Sequence, residues 1–310
     1  MSQLFVTSPG PGEGKTAVAA ALLRLLGPAR YRRLSEGEHP DAGFVGRLLG
    51  PATPTEQLTV ARADLAGGPT GRPEIIEGEP PAPAGLPTLA VVAYRGQGTA
   101  EAAGALAEGA DVVGVVLNAV PPTERGFVAR EIEPALGALG LTLLGVLPEE
   151  RPLRAATVAE LAAFLQGEVL TAHGALGNLV ESYMVGAMSH VSGVPYFNRK
   201  QNKAVVCGGN RIDIHLAALA TPCQCLVATG GYDPDPVVLE RAEADDVPIV
   251  RLVEDTVSTM DRISAFLRAV RFHHEAKLAP FVELFRRQVD RAPIERALGA
   301  HAPALGGATR

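Results

Sequence analysis

Short apolar runs alternate with helical patterns along the first half of the chain. Residues 4–7, 74–77, 89–94, 111–120 and 141–147 are rich in β-branched side chains and nearly unbroken by polar ones. Strands buried on both faces of a parallel sheet have this pattern. Helical patterns fall at 17–26, which is apolar nearly all round, and at 99–108 and 125–139. The stretch 52–72, rich in Pro, Gly and Thr, predicts loop, and the proline-rich 79–87 predicts a stiff connection. A second alternating series begins after Gln166-Gly167. Strands are predicted at 180–188, 204–207, 225–229 and 248–253, and helices at 212–220, 236–245 and 257–270. Pro-Asp-Pro at 234–236 is a helix entry, with Asp235 as cap and Pro236 in the first helical position. An amphipathic charged helix is predicted near 280–290, and the Ala/Gly/Pro-rich tail is expected to fray. The fold class is therefore α/β. A parallel-sheet domain over 1–166 precedes a smaller α/β domain over 167–290 and a flexible tail at 291–310.

Composition narrows the functional classes. A chain of 310 residues suits two domains. Aromatic residues make up 5% and Trp is lacking, so the 47% apolar content must build cores from Leu, Val and Ala. A net charge of −6 with scattered Arg and Lys argues against a general nucleic-acid surface. No run reaches the length of a membrane span and no signal-peptide pattern opens the chain, so a cytoplasmic location is expected. The three cysteines, two of them in Cys223-Gln-Cys225, make no disulfide framework and suit buried thiols. His273-His274 are adjacent, so they cannot share a helix face as a metal pair, and suit a helix C-terminus instead.

The densest chemistry lies in Ser8-Pro-Gly-Pro-Gly-Glu-Gly-Lys-Thr16, directly behind the first predicted strand and ahead of a helix. Strand, glycine-rich loop and helix is the setting of a phosphate-binding loop. Backbone N–H groups of the loop and first helical turn would point at a polyphosphate, and the helix N-terminus adds partial positive charge. Lys15 would reach the β/γ-phosphates and the Thr16 hydroxyl would ligate Mg²⁺. Pro9 stands where the common pattern has a glycine. Pro9 and Pro11 carry no N–H, so the donors must come from Gly10, Gly12, Glu13, Gly14, Lys15 and Thr16.

With these positions in place, the first half resembles P-loop NTPases of the dethiobiotin synthetase-like group. The likeness is greatest to the amino-terminal domain of long bacterial phosphotransacetylases. The resemblance implies ATP and Mg²⁺ as cofactors. Tyr31-Arg32-Arg33-Leu34 falls where the group has an aromatic-Lys-Pro strand end, with Arg33 in place of the Lys. Asp41 lies on a segment similar to the group's Asp-bearing helix, as a second Mg²⁺-side carboxylate or a helix cap. Ile75-Ile76-Glu77-Gly78 matches a strand ending in Glu-Gly, where Glu77 would serve the metal. Val115-Val116-Leu117-Asn118 resembles the strand whose Asn reads the adenine edge; capping of the turn before Pro121 is the other reading. Pro148, in Gly145–Glu149, falls at the following strand end beside the base.

The second half is similar to the DRTGG domain over about 170–270. Gly209-Asn210-Arg211-Ile212-Asp213 matches its Gly-Asp-Arg-x-Asp element, with Asn210 in place of Asp, and Thr229-Gly230-Gly231 matches its Thr-Gly-Gly element. The resemblance implies a nucleotide-responsive regulatory module that supports a homodimer. Arg211 and Asp213 would bind an anion or pair with each other. The expected function is an ATP/Mg-binding regulatory or sensor protein with at most slow ATP hydrolysis, whose partner is a separate acetate-metabolism enzyme. The alternative is an ATP-dependent ligase or amide-forming synthetase of the dethiobiotin or cobyrinic acid a,c-diamide synthase type.

Overall fold

The computed structural model describes residues 3–37, 39–49, 58–65, 72–150, 153, 155–270, 272 and 274–299. The chain forms two compact units, one of 1–153 with 272–310 and one of 154–271.

The first unit is built on a seven-stranded sheet. Its strands are β1 (Gln3–Thr7), β2 (Arg30–Leu34), β3 (Thr59–Val60), β4 (Glu74–Glu77), β5 (Pro87–Ala93), β6 (Asp111–Val120) and β7 (Leu143–Pro148). They lie in the order β3-β2-β4-β1-β5-β6-β7, and every pairing is parallel. Central strands with no exposed face need the continuous apolar runs seen in the sequence. The helices are α1 (Lys15–Leu25), α2 (Pro40–Leu49), α3 (Gly98–Ala107), α4 (Arg125–Phe127) and α5 (Glu133–Ala138), with a π-helical turn at Val128–Ile132 joining the last two. Within the expected loop 52–72, Thr59–Val60 is an edge strand and Arg62–Asp64 a 3₁₀ turn; 52–57 and 66–71 lie outside the described residues.

Two helices from the far end of the chain complete this unit. Leu278–Gln288 buries Leu278, Phe281, Leu284 and Phe285, the last three in the same core as α1. This i, i+3, i+6/i+7 stripe needs an apolar partner, and the first unit supplies it. Asp290 N–H then donates to Leu144 O on β7 at 2.7 Å. Residues 272–290, expected in the second domain, pack in the first unit for this reason. Part of the tail expected to be flexible from 291 is ordered: Ala292–Ala297 is helical with Ile294 fully buried, and 300–310 lie outside the described residues.

The second unit begins with β8 (Ala156–Thr157) and α6 (Val158–Leu165), followed by β9 (Glu168–Val169), β10 (Leu179–Val180) and β11 (Ser182–Val185). Next come α7 (His190–Phe197), β12 (Lys203–Gly208), α8 (Ile212–Leu219) and β13 (Cys223–Thr229), then α9 (Pro236–Ala244), β14 (Ile249–Arg251) and α10 (Thr256–Ala269). The main sheet runs β11-β12-β13-β14-β9, antiparallel only at β9. The strand expected at 180–188 is divided: β10 pairs with β8, while β11 joins the main sheet. Helix α6 belongs to this unit and not to the first, because Val158, Leu161, Ala162 and Leu165 cover the sheet beside Val206, Val227 and Val250. The boundary therefore lies near 154, ahead of the expected 166. His273 lies outside the described residues. His274 caps the next 3₁₀ turn, its Nδ1 accepting from Ala276 N–H at 3.2 Å.

Candidate functional site

In an open α/β sheet, ligands bind beyond the carboxyl ends of the strands, where connections diverge to either side. Here β1 is that point, with β4 on one flank and β5 on the other. The loop after β1 turns into α1 through Gly12 and Gly14, at φ of +79° and +100°. Both angles are in the left-handed region that glycine occupies without strain. Among the described residues, the N–H groups of Gly10, Gly12, Glu13, Gly14, Lys15 and Thr16 have no hydrogen-bond acceptor. They are the six donors expected from the sequence.

Side chains hold this loop. Lys15 Nζ donates to Ser8 Oγ at 3.1 Å and to Gly10 O at 3.2 Å, which keeps the ammonium in the loop mouth. Glu13 turns its carboxylate inward, accepting from Ala93 N–H at 2.6 Å and pairing with Arg95. Asn118, at the end of β6, donates its amide to Glu13 O at 2.8 Å. The donor half of the amide pair expected to read adenine is thus committed to the loop. Pro148 ends the adjacent β7.

The expected metal residues converge, with one addition. Parallel pairing of β2 with β4 sets Arg33 opposite Glu77. Glu77, fully buried, accepts from Thr16 Oγ1 at 2.7 Å and from Arg33 Nη1 at 2.6 Å on one oxygen, and from Tyr31 OH at 2.8 Å on the other. Burial pushes the Glu77 carboxyl above its usual range, and the Arg33 guanidinium opposes that shift. The Tyr31 hydroxyl is held well above its usual value, by burial first and then by Glu77. Asp41 Oδ2 lies 3.8 Å from Arg33 Nη1 and 3.3 Å from His39 Nδ1. Thr16, Glu77 and Asp41 are oxygen donors of the kind Mg²⁺ takes, yet a guanidinium stands among them. As arranged, the set does not fit a metal, and no group of three or more His, Cys, Asp or Glu among the described residues does.

Glu79 was not expected at the site. Its Oε1 lies 2.8 Å from Lys15 Nζ and 3.1 Å from Arg33 Nη2, though its side chain is half exposed. A carboxylate so held occupies an anion position between two cations. The second acid in Glu77-Gly-Glu79 was the available sequence signal.

In the second unit the predicted residues meet at the carboxyl ends of β12 and β13, where Gly209 N–H donates to Thr229 O at 2.9 Å. Arg211 forms a two-point pair with Asp213, both contacts at 2.9 Å, and also donates to Met188 O. Thr229 Oγ1 shares a hydrogen bond with Thr256 Oγ1 at 2.7 Å. Gly230 and Gly231, at φ of +85° and +73°, donate to Glu254 O and Leu252 O. Asn210 is exposed. Of the two readings of Arg211 and Asp213, the structure gives the mutual pair.

Residues 160–266 match the DRTGG domain family. The chain is 27% identical to the phosphate acetyltransferase of Nitratidesulfovibrio vulgaris (strain Hildenborough) over 199 residues, 60% of this chain and 28% of that one. It is 25% identical to the phosphate acetyltransferase of Synechocystis sp. over 192 residues, 59% of this chain and 27% of that one. The chain thus spans just over a quarter of the length of the curated relatives it matches. Among solved structures, one similar chain comprises the CBS and DRTGG domains of the regulatory region of Clostridium perfringens pyrophosphatase, complexed with its activator diadenosine tetraphosphate. That chain is 15% identical, with a TM-score of 0.33, over 38% of this chain and 48% of its own. Another is from the MinC:MinD cell division complex of Aquifex aeolicus, 16% identical, with a TM-score of 0.35, over 49% and 84% of the two chains.

Proposed function

We propose that this chain is an ATP-binding regulatory module. Its first unit takes the nucleotide at the loop after β1, and its DRTGG-like second unit responds. The observation that carries the reading is the set of six N–H groups without an acceptor among the described residues, in the loop that holds the Lys15 ammonium at the N-terminus of α1. Such a cradle offers a polyphosphate several donors and the positive end of a helix dipole at once. The likeness to the phosphate acetyltransferases supports a regulatory role beside an acetate-metabolism enzyme. Acetyl transfer itself is not carried over, since the match covers only a quarter of those proteins. Any coupling must be reciprocal: a ligand of the second unit changes ATP affinity by the factor that ATP changes its own.

Calorimetric titration tests the reading. ATP should bind the full chain, and Lys15→Ala should weaken it by more than about tenfold, the loss of a charge-assisted contact. Equal affinity of the two proteins would remove the assignment. Protection from hydrogen exchange over 204–235 that changes with ATP would support the regulatory part.

A further inference from the structure

The residues that the resemblance gives to Mg²⁺ are wrapped around Arg33. Thr16 Oγ1 and Arg33 Nη1 meet on the same oxygen of Glu77, at 2.7 and 2.6 Å, and Asp41 Oδ2 stands 3.8 Å from that nitrogen. The other terminal nitrogen, Nη2, lies 3.1 Å from the Glu79 oxygen that Lys15 holds at 2.8 Å. A magnesium ion at a phosphate loop joins protein oxygens on one side to phosphate oxygens on the other. The guanidinium makes that same junction, with Nη1 on the protein carboxylates and Nη2 on the anion position.

Arg33 is also poorly able to leave. Its side chain is only 3% exposed, and its Nη1 is paired with the fully buried Glu77 at 2.6 Å. An ion entering between Glu77 and Asp41 would have to displace a buried cation and strip it of its counter-charges, or sit beside it against repulsion. Glu79, by contrast, reaches the site from a half-exposed position and has solvent to return to.

We propose that this loop takes its polyphosphate without a divalent cation. Arg33 serves as the built-in cation, and Glu79 is the resident anion that the ligand displaces. This rests on the nucleotide reading above and adds to it the form of the ligand: the metal-free nucleotide, or inorganic triphosphate.

Calorimetry on the full chain tests it, with ATP and with inorganic triphosphate, each in excess EDTA and in excess Mg²⁺. The expected affinity in EDTA equals that in Mg²⁺ to within about threefold, or exceeds it. Affinity that rises by more than this on adding Mg²⁺ overturns the inference and leaves the nucleotide reading standing. Absence of binding in both media overturns both. Arg33→Gln should lose more than about tenfold in EDTA and recover part of it with Mg²⁺. That variant leaves Glu77 buried without its partner and can fail to fold, so Glu79→Gln is the second arm. Removing the competing charge there should tighten triphosphate in EDTA by several fold; unchanged or weaker binding counts against Glu79 as the displaced anion.

Discussion

His215 lies on α8 with no exposed surface, and neither ring nitrogen has a partner among the described residues. Burial pushes its pKa from 6.5 down to about 4; Asp213 pulls it up and Arg211 pushes it further down. The folded unit therefore holds a neutral imidazole. Between pH 6.5 and 4 the unfolded chain binds a proton that the folded chain does not, so stability falls as pH drops through that window. His215→Leu should remove the effect. Denaturant titrations at pH 7 and 4.5 should show the wild type losing about 2–3 kcal/mol more than the variant, at 1.36 kcal/mol per pH unit. Equal losses would show His215 to be irrelevant to acid lability. A second residue-level prediction concerns Asn118. Its amide braces Glu13 O, so Asn118→Ala should weaken ATP and inorganic triphosphate alike, and a loss confined to ATP would restore the adenine-reading role. At this scale the loop was legible because its residues are contiguous from Ser8 to Thr16. The meeting of Arg33 with Glu77 was not, since it depends on the pairing of strands 44 residues apart in the chain.

Among the elements, the helix Leu278–Gln288 carries the clearest energetic consequence. Phe285 is fully buried in the core it shares with α1, and it stacks near Phe281 at 6.4 Å between ring centres. Phe285→Ala should destabilise the first unit by about 3–5 kcal/mol, the usual cost of a large side chain removed from a core. Denaturant unfolding followed by a probe on α1 would measure it. A loss below about 1 kcal/mol would mean that the helix is dispensable to that core. The amphipathic stripe of this helix was plain in the sequence, but a stripe does not say which core it joins. Helix α6 shows the opposite case. Thr157 and Glu160 form a reciprocal cap, at 3.1 and 2.8 Å, so the Thr-x-x-Glu signal for its start was present. Its eight residues, Val158–Leu165, end just ahead of 166, so a boundary placed there assigns them to the first domain. Long apolar strands such as β5 and β6 were found readily, because continuous β-branched runs have few other uses.

For the whole molecule, the homodimer remains an expectation to be tested, and the second unit exposes apolar side chains that bear on it. Tyr232, Val253 and Val257 are 55%, 87% and 73% exposed, in the loops after β13 and β14 and at the start of α10. Gly231 brings the first two loops together, its Cβ direction facing Val253. We expect a dimer at about micromolar concentration, stabilised by burying these side chains. Sedimentation velocity should show it, and the double substitution Val253→Asp/Val257→Asp should yield a monomer. A monomeric wild type would set the expectation aside.

The first unit is assembled from two separated segments, with the second unit encoded between them. A ribosome makes the loop after β1 early, and the helix that closes the core around α1 only after the whole second unit. During synthesis, the middle segment is thus complete while the amino-terminal part still lacks a wall. The usual order, in which the leading domain folds first, is reversed. The leading segment must wait with Leu22 and its neighbours uncovered until residue 298 has left the exit tunnel. The interval open to chaperones and proteases therefore runs through the synthesis of the whole second unit, and it falls on the very part that holds the loop after β1.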